Sequence, residues 1–211
     1  MEHVKRPLTY RQRQALATQQ LIMETAQALF LEQGYGITTI EAIAATAGVA
    51  VSTVYAIYKN KRSILKAIRE AWHLESGQRD IYQQALEETD ARRRLALAAH
   101  ATRRQWQSGA SMMLIYESAA AVDAEAAAEL KVAEDGRRRF MGAFIQQTTS
   151  MLRPGLHPAQ ASAVYLSLTR PEVYRELVTV AGWSPDTYER WLAEVLTSQL
   201  LPDAGADPIP D

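Results

Sequence analysis

Ser52, Thr53 and Tyr55 place three hydroxyls within four residues, and Lys59 and Lys61 add two ammonium groups shortly after. Such groups donate and accept toward phosphate oxygens and base edges, which is what a nucleic-acid duplex presents. Upstream, Thr38 and Thr39 precede an apolar run, and the free N–H groups of a helix starting there favour a phosphate. With Tyr58 these residues form one candidate contact set for DNA. Other chemistry finds little support. Cysteine is absent, which excludes disulfides, thiolate metal sites and cysteine nucleophiles. His3, His73, His100 and His157 are scattered without metal-ligand spacing. Ser63 and Lys66 fit a serine-x-x-lysine pattern but lack its companion motifs, and no phosphate loop or dinucleotide fingerprint occurs. Neither enzymatic activity nor a cofactor or metal is expected.

Helices must position these groups. Alanine, leucine, glutamate, glutamine and arginine dominate, and no alternating β-branched run occurs. The first helix is predicted from about Thr9 to Gln33, with Ile22, Ala26, Leu29 and Phe30 on one face and Gly34 ending it. Thr38 and Glu41 have capping-box spacing, and Ile40, Ile43, Ala44 and Ala47 face inward from the helix that follows. Gly48 supplies a left-handed turn, a short helix from about Val51 to Ile57 buries Val54, and Asn60 caps a further helix carrying Ile64, Leu65 and Ile68. Two short helices about a glycine turn are a helix-turn-helix, whose second helix suits the major groove.

Beyond Ser76 a helical body is expected. Asp90 opens a helix bearing Leu95, Ala99, Thr102 and Trp106, and a shorter one covers Ser111 to Ala121. Asp123 starts a long helix with the stripe Leu130, Ala133, Arg137, Phe140, Phe144, Thr148 and Met151. Pro154, Gly155 and Pro158 interrupt it, and Ser184-Pro185 begins a last helix. The fold class is therefore all-α. An N-terminal arm and three-helix helix-turn-helix DNA-binding domain spans 1–74, a helical-bundle effector-binding and dimerisation domain spans 75–201, and a tail at 202–211 is expected to be disordered.

The 211 residues are 47% hydrophobic and 22% charged, ordinary for a globular chain. Net charge is −1, yet residues 1–74 carry nine Lys/Arg against five Asp/Glu, whereas the remainder carries fourteen against nineteen. A net +4 beside a net −5 fits a basic contact module joined to a body with no attraction for phosphate. Neither an apolar span nor a signal-peptide core is evident, so a cytoplasmic protein with no membrane partner is expected.

Residues 22–66 resemble the DNA-binding domain of the TetR family of bacterial regulators. The matching elements are ALFLEQGY, then Thr38-Thr39, Ile43-Ala44 two residues before Ala47-Gly48-Val49, the Val54-Tyr55 step, and Lys61 with Leu65. Residues 158–201, around Gly182-Trp183-Ser184-Pro185, are similar to the C-terminal helices of some members. The resemblance implies a homodimer that binds a palindromic DNA operator as a repressor and is released by a small-molecule effector. It places contacts at Thr39, Ser52, Thr53, Tyr55, Tyr58 and Lys61. Three positions depart from the family: Ala50 replaces a serine cap, Ser52 a glycine, and Ile57-Tyr58 a histidine-phenylalanine pair. Alternatives remain a helical small-molecule binding protein without DNA-binding activity, which Ala50 favours, and a TetR-like activator.

Tyr55 suits a wet interface, while Tyr58 fits contact or core equally. Lys5, Arg6, Arg11 and Arg13 form a minor-groove arm or a solvated tail. Arg137-Arg138-Arg139 is read as a solvated helix face. Trp106, Met112, Met113, Tyr116, Phe140, Phe144 and Tyr165 are candidates to line a pocket for an apolar or aromatic effector, though each also serves as core. Candidates for the dimer interface are Val164, Leu168, Val173, Leu177, Trp191, Leu192, Val195 and Leu196.

Overall fold

A computed structural model describes residues 9–202; the basic residues Lys5 and Arg6 and the tail from 203 lie outside the described residues. Ten α-helices occur among these residues, and no strand. The chain divides into two compact units. The first comprises residues 1–71 with 114–127, the second 72–113 with 128–211. Residues 114–127 thus pack with the first unit, although a boundary drawn at residue 74 in the linear sequence separates them from it.

In the first unit, α1 (Tyr10–Gln33) starts with a capping box between Thr9 and Gln12 and stops at Gly34, whose φ is +87°. Its second half buries Ile22, Met23, Ala26, Leu29 and Phe30 against α2 (Ile40–Ala47). From α2, Ile40, Ile43, Ala44 and Ala47 close the same core. Next come α3 (Val51–Tyr58) and α4 (Lys61–Ser76), with Asn60 Oδ1 accepting from Ser63 N at 2.8 Å. The capping box expected at Thr38 forms differently. Thr39 is the cap, accepting from Ala42 N at 3.1 Å, and Thr38 is 1% exposed, its hydroxyl donating to the carbonyls of Gly34 (2.9 Å) and Leu29 (3.3 Å). Thr38 staples the end of α1 to the turn and leaves capping to its neighbour.

The second unit is built from α5 (Gln78–Glu87), most of α6 (Ala91–Ala120) and α7 (Ala124–Gln146), then α8 (Pro158–Leu168), α9 (Pro171–Tyr174) and α10 (Pro185–Leu200). A π-helical segment, Arg175–Val180, links α9 toward α10. Asp90, Asp123 and Ser184 cap α6, α7 and α10 as their types predict. The separate helix expected over Ser111 to Ala121 does not exist, because α6 runs unbroken through Gly109. A Cβ at Gly109 would collide with the Trp72 indole, so that glycine admits a ring rather than ending a helix. The α7 stripe is also rotated: Met141, Phe144, Ile145 and Thr148 are buried, whereas Ala133 and Phe140 are exposed. Arg94 was not foreseen as structural. Its buried guanidinium donates to the carbonyls of Leu86, Glu88 and Gln147, tying the ends of α5 and α7.

Candidate nucleic-acid interface

Gly48 makes the tight turn of the site. At φ +66° and ψ +31° it is left-handed, with its N–H bonded to Ala45 O and the N–H of Val49 to Ala44 O. The axes of α2 and α3 then cross at 112°, within the range for helix-turn-helix units. Val54, fully buried, anchors α3, and Tyr58 follows on the same face one turn later. The opposite face carries Ser52 and Tyr55, both exposed, with Tyr55 at 47%, while Thr53 is half-buried at the margin. Ala50 gives no side-chain cap, yet the helix begins, since Thr53 N and Val54 N donate to Ala50 O. The first amides of α3 therefore have no side-chain acceptor of their own.

Lys59 ends α3 in a rare conformation, φ +59° and ψ −41°, and Asn60 N donates to Tyr58 O across it at 2.5 Å. That is a γ-turn of the uncommon hand, strained for a residue with a Cβ. It reverses the chain within one residue and leaves the Lys59 ammonium exposed beside the helix end.

Besides Thr38, whose hydroxyl is engaged inside the fold, two sequence candidates are turned away from this surface. Tyr58 is 4% exposed, and its hydroxyl donates to Gln19 O at 2.9 Å; burial pushes its pKa up, against a smaller lowering effect of the Gln19 side chain. Here the phenol is core with one satisfied polar tip. Lys61 directs its ammonium to the carbonyls of Tyr35 (2.6 Å) and Thr38 (2.9 Å), with the Tyr35 ring 4.2 Å away. Desolvation pulls the Lys61 pKa down, opposed by the charge of Asp123. Thr39, by contrast, is exposed at the start of α2.

A bracket holds this arrangement. The Tyr35 N–H donates to Ser118 Oγ at 3.2 Å, its hydroxyl to Asp123 Oδ2 at 3.3 Å, and Arg62 pairs with Asp123 and Glu125. These partners come from residues 114–127, which explains their place in the first unit.

The model of the bacterial regulatory proteins, tetR family, matches residues 22–68, which span the second half of α1 through to α4. Over those residues the chain carries a DNA-binding domain of the tetR family. It is accordingly a DNA-binding transcriptional regulator. Solved structures share its fold. NalD, the secondary repressor of the MexAB-OprM multidrug efflux pump in Pseudomonas aeruginosa, is 22% identical with a TM-score of 0.67, over 90% of this chain and 99% of its own. SmeT in complex with triclosan is 20% identical with a TM-score of 0.69, over 92% and 100%. The ketosteroid transcriptional regulator KstR2 of Mycobacterium tuberculosis is 16% identical with a TM-score of 0.62, over 88% and 95%. Comparison with curated protein sequences returned no match.

The residues expected to line an effector pocket do not form one set. Tyr116 belongs to the first unit, where the Arg69 guanidinium lies 5.7 Å from its ring centre. In the second unit, Trp106, Met112, Phe144 and Tyr165 are buried, Met113 is half-buried and Phe140 is 44% exposed. The aromatic rings fill one another's space. Phe144 packs on Tyr165 (5.8 Å) and on Tyr82 (5.7 Å), and Phe140 meets the Tyr82 ring at 5.4 Å. Tyr82, absent from the sequence candidates, is central, its hydroxyl 2.9 Å from that of Tyr165 and 3.2 Å from Thr102 Oγ1. Arg137, read from sequence as a solvated face, instead donates to Thr169 O and Oγ1.

Interface candidates divide similarly. Leu192 and Leu196 are fully buried within the protomer, because α10 packs them inward, so they have no surface to offer a second chain. Val164, Leu168, Val173, Leu177, Trp191 and Val195 keep partial exposure.

Proposed function

We propose that this regulator is a dimeric repressor that binds a palindromic operator and is released by a small apolar or aromatic effector. Support comes first from the exposed face of α3. Ser52, Thr53 and Tyr55 stand there beside open helix-start amides, with Thr39 at the start of α2 and Lys59 at the strained end of α3. Thr39 and Lys59 are assigned to phosphate, and Ser52, Thr53 and Tyr55 to base edges and the adjoining backbone. Thr38, Tyr58 and Lys61 act behind them as supports, their polar atoms engaged inside the fold.

One α3 reads too few base pairs for useful specificity, and a two-fold pair doubles the contacts on a palindrome. The partly exposed Val164, Leu168, Trp191 and Val195 of α8 and α10 are the proposed apolar contact between copies. The aromatic cluster around Tyr82, Phe144 and Tyr165 is the proposed effector region, in a DNA-binding module and body that act in the cytoplasm. The reading without DNA binding rests on Ala50 alone, and α3 forms its first turn despite that residue.

Selection of bound fragments from the source genome by the purified protein tests the proposal. A recovered inverted repeat bound by a dimer is expected. Retention of random and selected fragments with equal affinity would reject it.

A further inference from the structure

Arg137 is singled out by what surrounds it. Arg138 and Arg139 are exposed, whereas Arg137 turns inward from α7, its guanidinium 5.8 Å from the centre of the Trp106 ring. Its Nη2 donates to Thr169 O at 2.8 Å and Thr169 Oγ1 at 2.7 Å. Its Nε is buried and has no acceptor. Among the described residues no carboxylate lies within ion-pair distance of it. The end of α8 supplies a partial negative charge through Thr169 O, but that occupies one nitrogen and leaves most of a cation uncompensated. Arg137 as a whole is half-buried, so its unpartnered side is within reach of a ligand, and a carboxylate fits the guanidinium fork through two hydrogen bonds.

The neighbouring phenols reinforce this. Tyr188 is fully buried and its hydroxyl has no partner. Tyr82, Tyr165 and Tyr188 all feel the charge of Arg137, while burial, the larger effect, raises each pKa, so at neutral pH they are protonated donors. The Tyr188 hydroxyl is thus an unpartnered donor close enough to sense the Arg137 charge, and Trp106 adds an apolar face beside that cation. Phe140, half in solvent, packs against the edge of Tyr82 and keeps the apolar cluster in reach of the surface.

We infer that Arg137 is the docking point for the carboxylate of an aromatic or aliphatic acid, and that such an acid is the effector of this regulator. The inference rests on the proposal that the second unit binds the effector, and it narrows that effector from an apolar molecule to an apolar anion.

The test uses the full chain without DNA. Tryptophan fluorescence is titrated with benzoate, 2-naphthoate and decanoate and, separately, with their primary amides. At least one acid is expected to bind ten-fold or more tightly than its amide. R137Q should abolish that preference while leaving amide affinity unchanged, R137K should keep part of it, and Y188F should weaken the acid by a few-fold. If R137Q does not fold, the wild-type preference and Y188F decide the matter. Equal affinity for acids and amides, or no binding of any acid at millimolar concentration, overturns the inference. Acid binding that depends on Arg137 but leaves operator binding intact would uphold the site and reject release by an effector. Operator release by an amide alone would do the reverse.

Discussion

The Lys61 ammonium lies 2.6 Å from the carbonyl oxygen of Tyr35 and 4.2 Å from the centre of the same residue's ring. One cation thus closes the α1–α2 turn from both backbone and side chain, while the hydroxyl of Tyr35 reaches Asp123. Lysine at the start of a helix is unfavourable toward the helix dipole, so these acceptors must hold it there. Lys61→Ala is expected to lower stability by about 1–2 kcal/mol, seen as a fall in Tm, with little change in the salt dependence of DNA binding. Lys59→Ala should leave Tm nearly unchanged and flatten the slope of log affinity against log salt by about one unit. Reversal of the two phenotypes would return Lys61 to the DNA surface.

Thr53 sits at the margin of the exposed α3 face, where a hydroxyl meets base edges more readily than phosphate. Thr53→Ala should change the preferred base at one position of each half-site, by about 1–3 kcal/mol, with the salt slope retained. Uniform weakening across all sequences would assign Thr53 to the backbone instead.

Ala50 already has the extended backbone of a cap residue, φ −68° and ψ 143°. Ala50→Ser supplies the missing acceptor without moving the chain, so a stability gain of about 1 kcal/mol is expected. Thermal unfolding measures it, and an unchanged Tm would mean that those amides already have acceptors.

Leu192 and Val195 are three residues apart on α10 and differ in burial, the first at 0% and the second half-exposed. Val195→Glu should yield a folded monomer by sedimentation at micromolar concentration. Leu192→Ala should instead cost about 2–5 kcal/mol of stability and leave any folded fraction dimeric. A dimeric Val195→Glu protein would move the interface elsewhere.

Burial raises the pKa of Tyr58, Tyr82, Tyr165, Tyr174 and Tyr188 above the usual value near 10. In the unfolded chain these phenols lose their protons near pH 10, whereas the folded state keeps them. The unfolded state therefore binds fewer protons above pH 10, and stability falls as pH rises beyond it. Below pH 10 their contribution is fully present. Absorbance at 295 nm should show these tyrosines ionising late and together with the loss of helical circular dichroism. Smooth ionisation of every tyrosine near pH 10 in a folded protein would contradict their burial.

Local rules carried much of the fold. Helix starts at Thr9, Asn60, Asp90, Asp123 and Ser184, the turn at Gly48 and the buried face of Ile40, Ile43 and Val54 follow from side-chain chemistry within four residues, which a linear sequence displays. Spacing alone also placed Ser52 and Tyr55 opposite Val54. Contacts far apart in sequence were decided only by the tertiary structure. Thr38 and Thr39 differ because Leu29 O lies within reach of the first. Gly109 continues α6 because Trp72 occupies the space of its missing side chain. Arg137 leaves its two arginine neighbours because Thr169, 32 residues on, offers two acceptors. In each case the residue type permits two fates with similar local energies, and a distant partner breaks the tie.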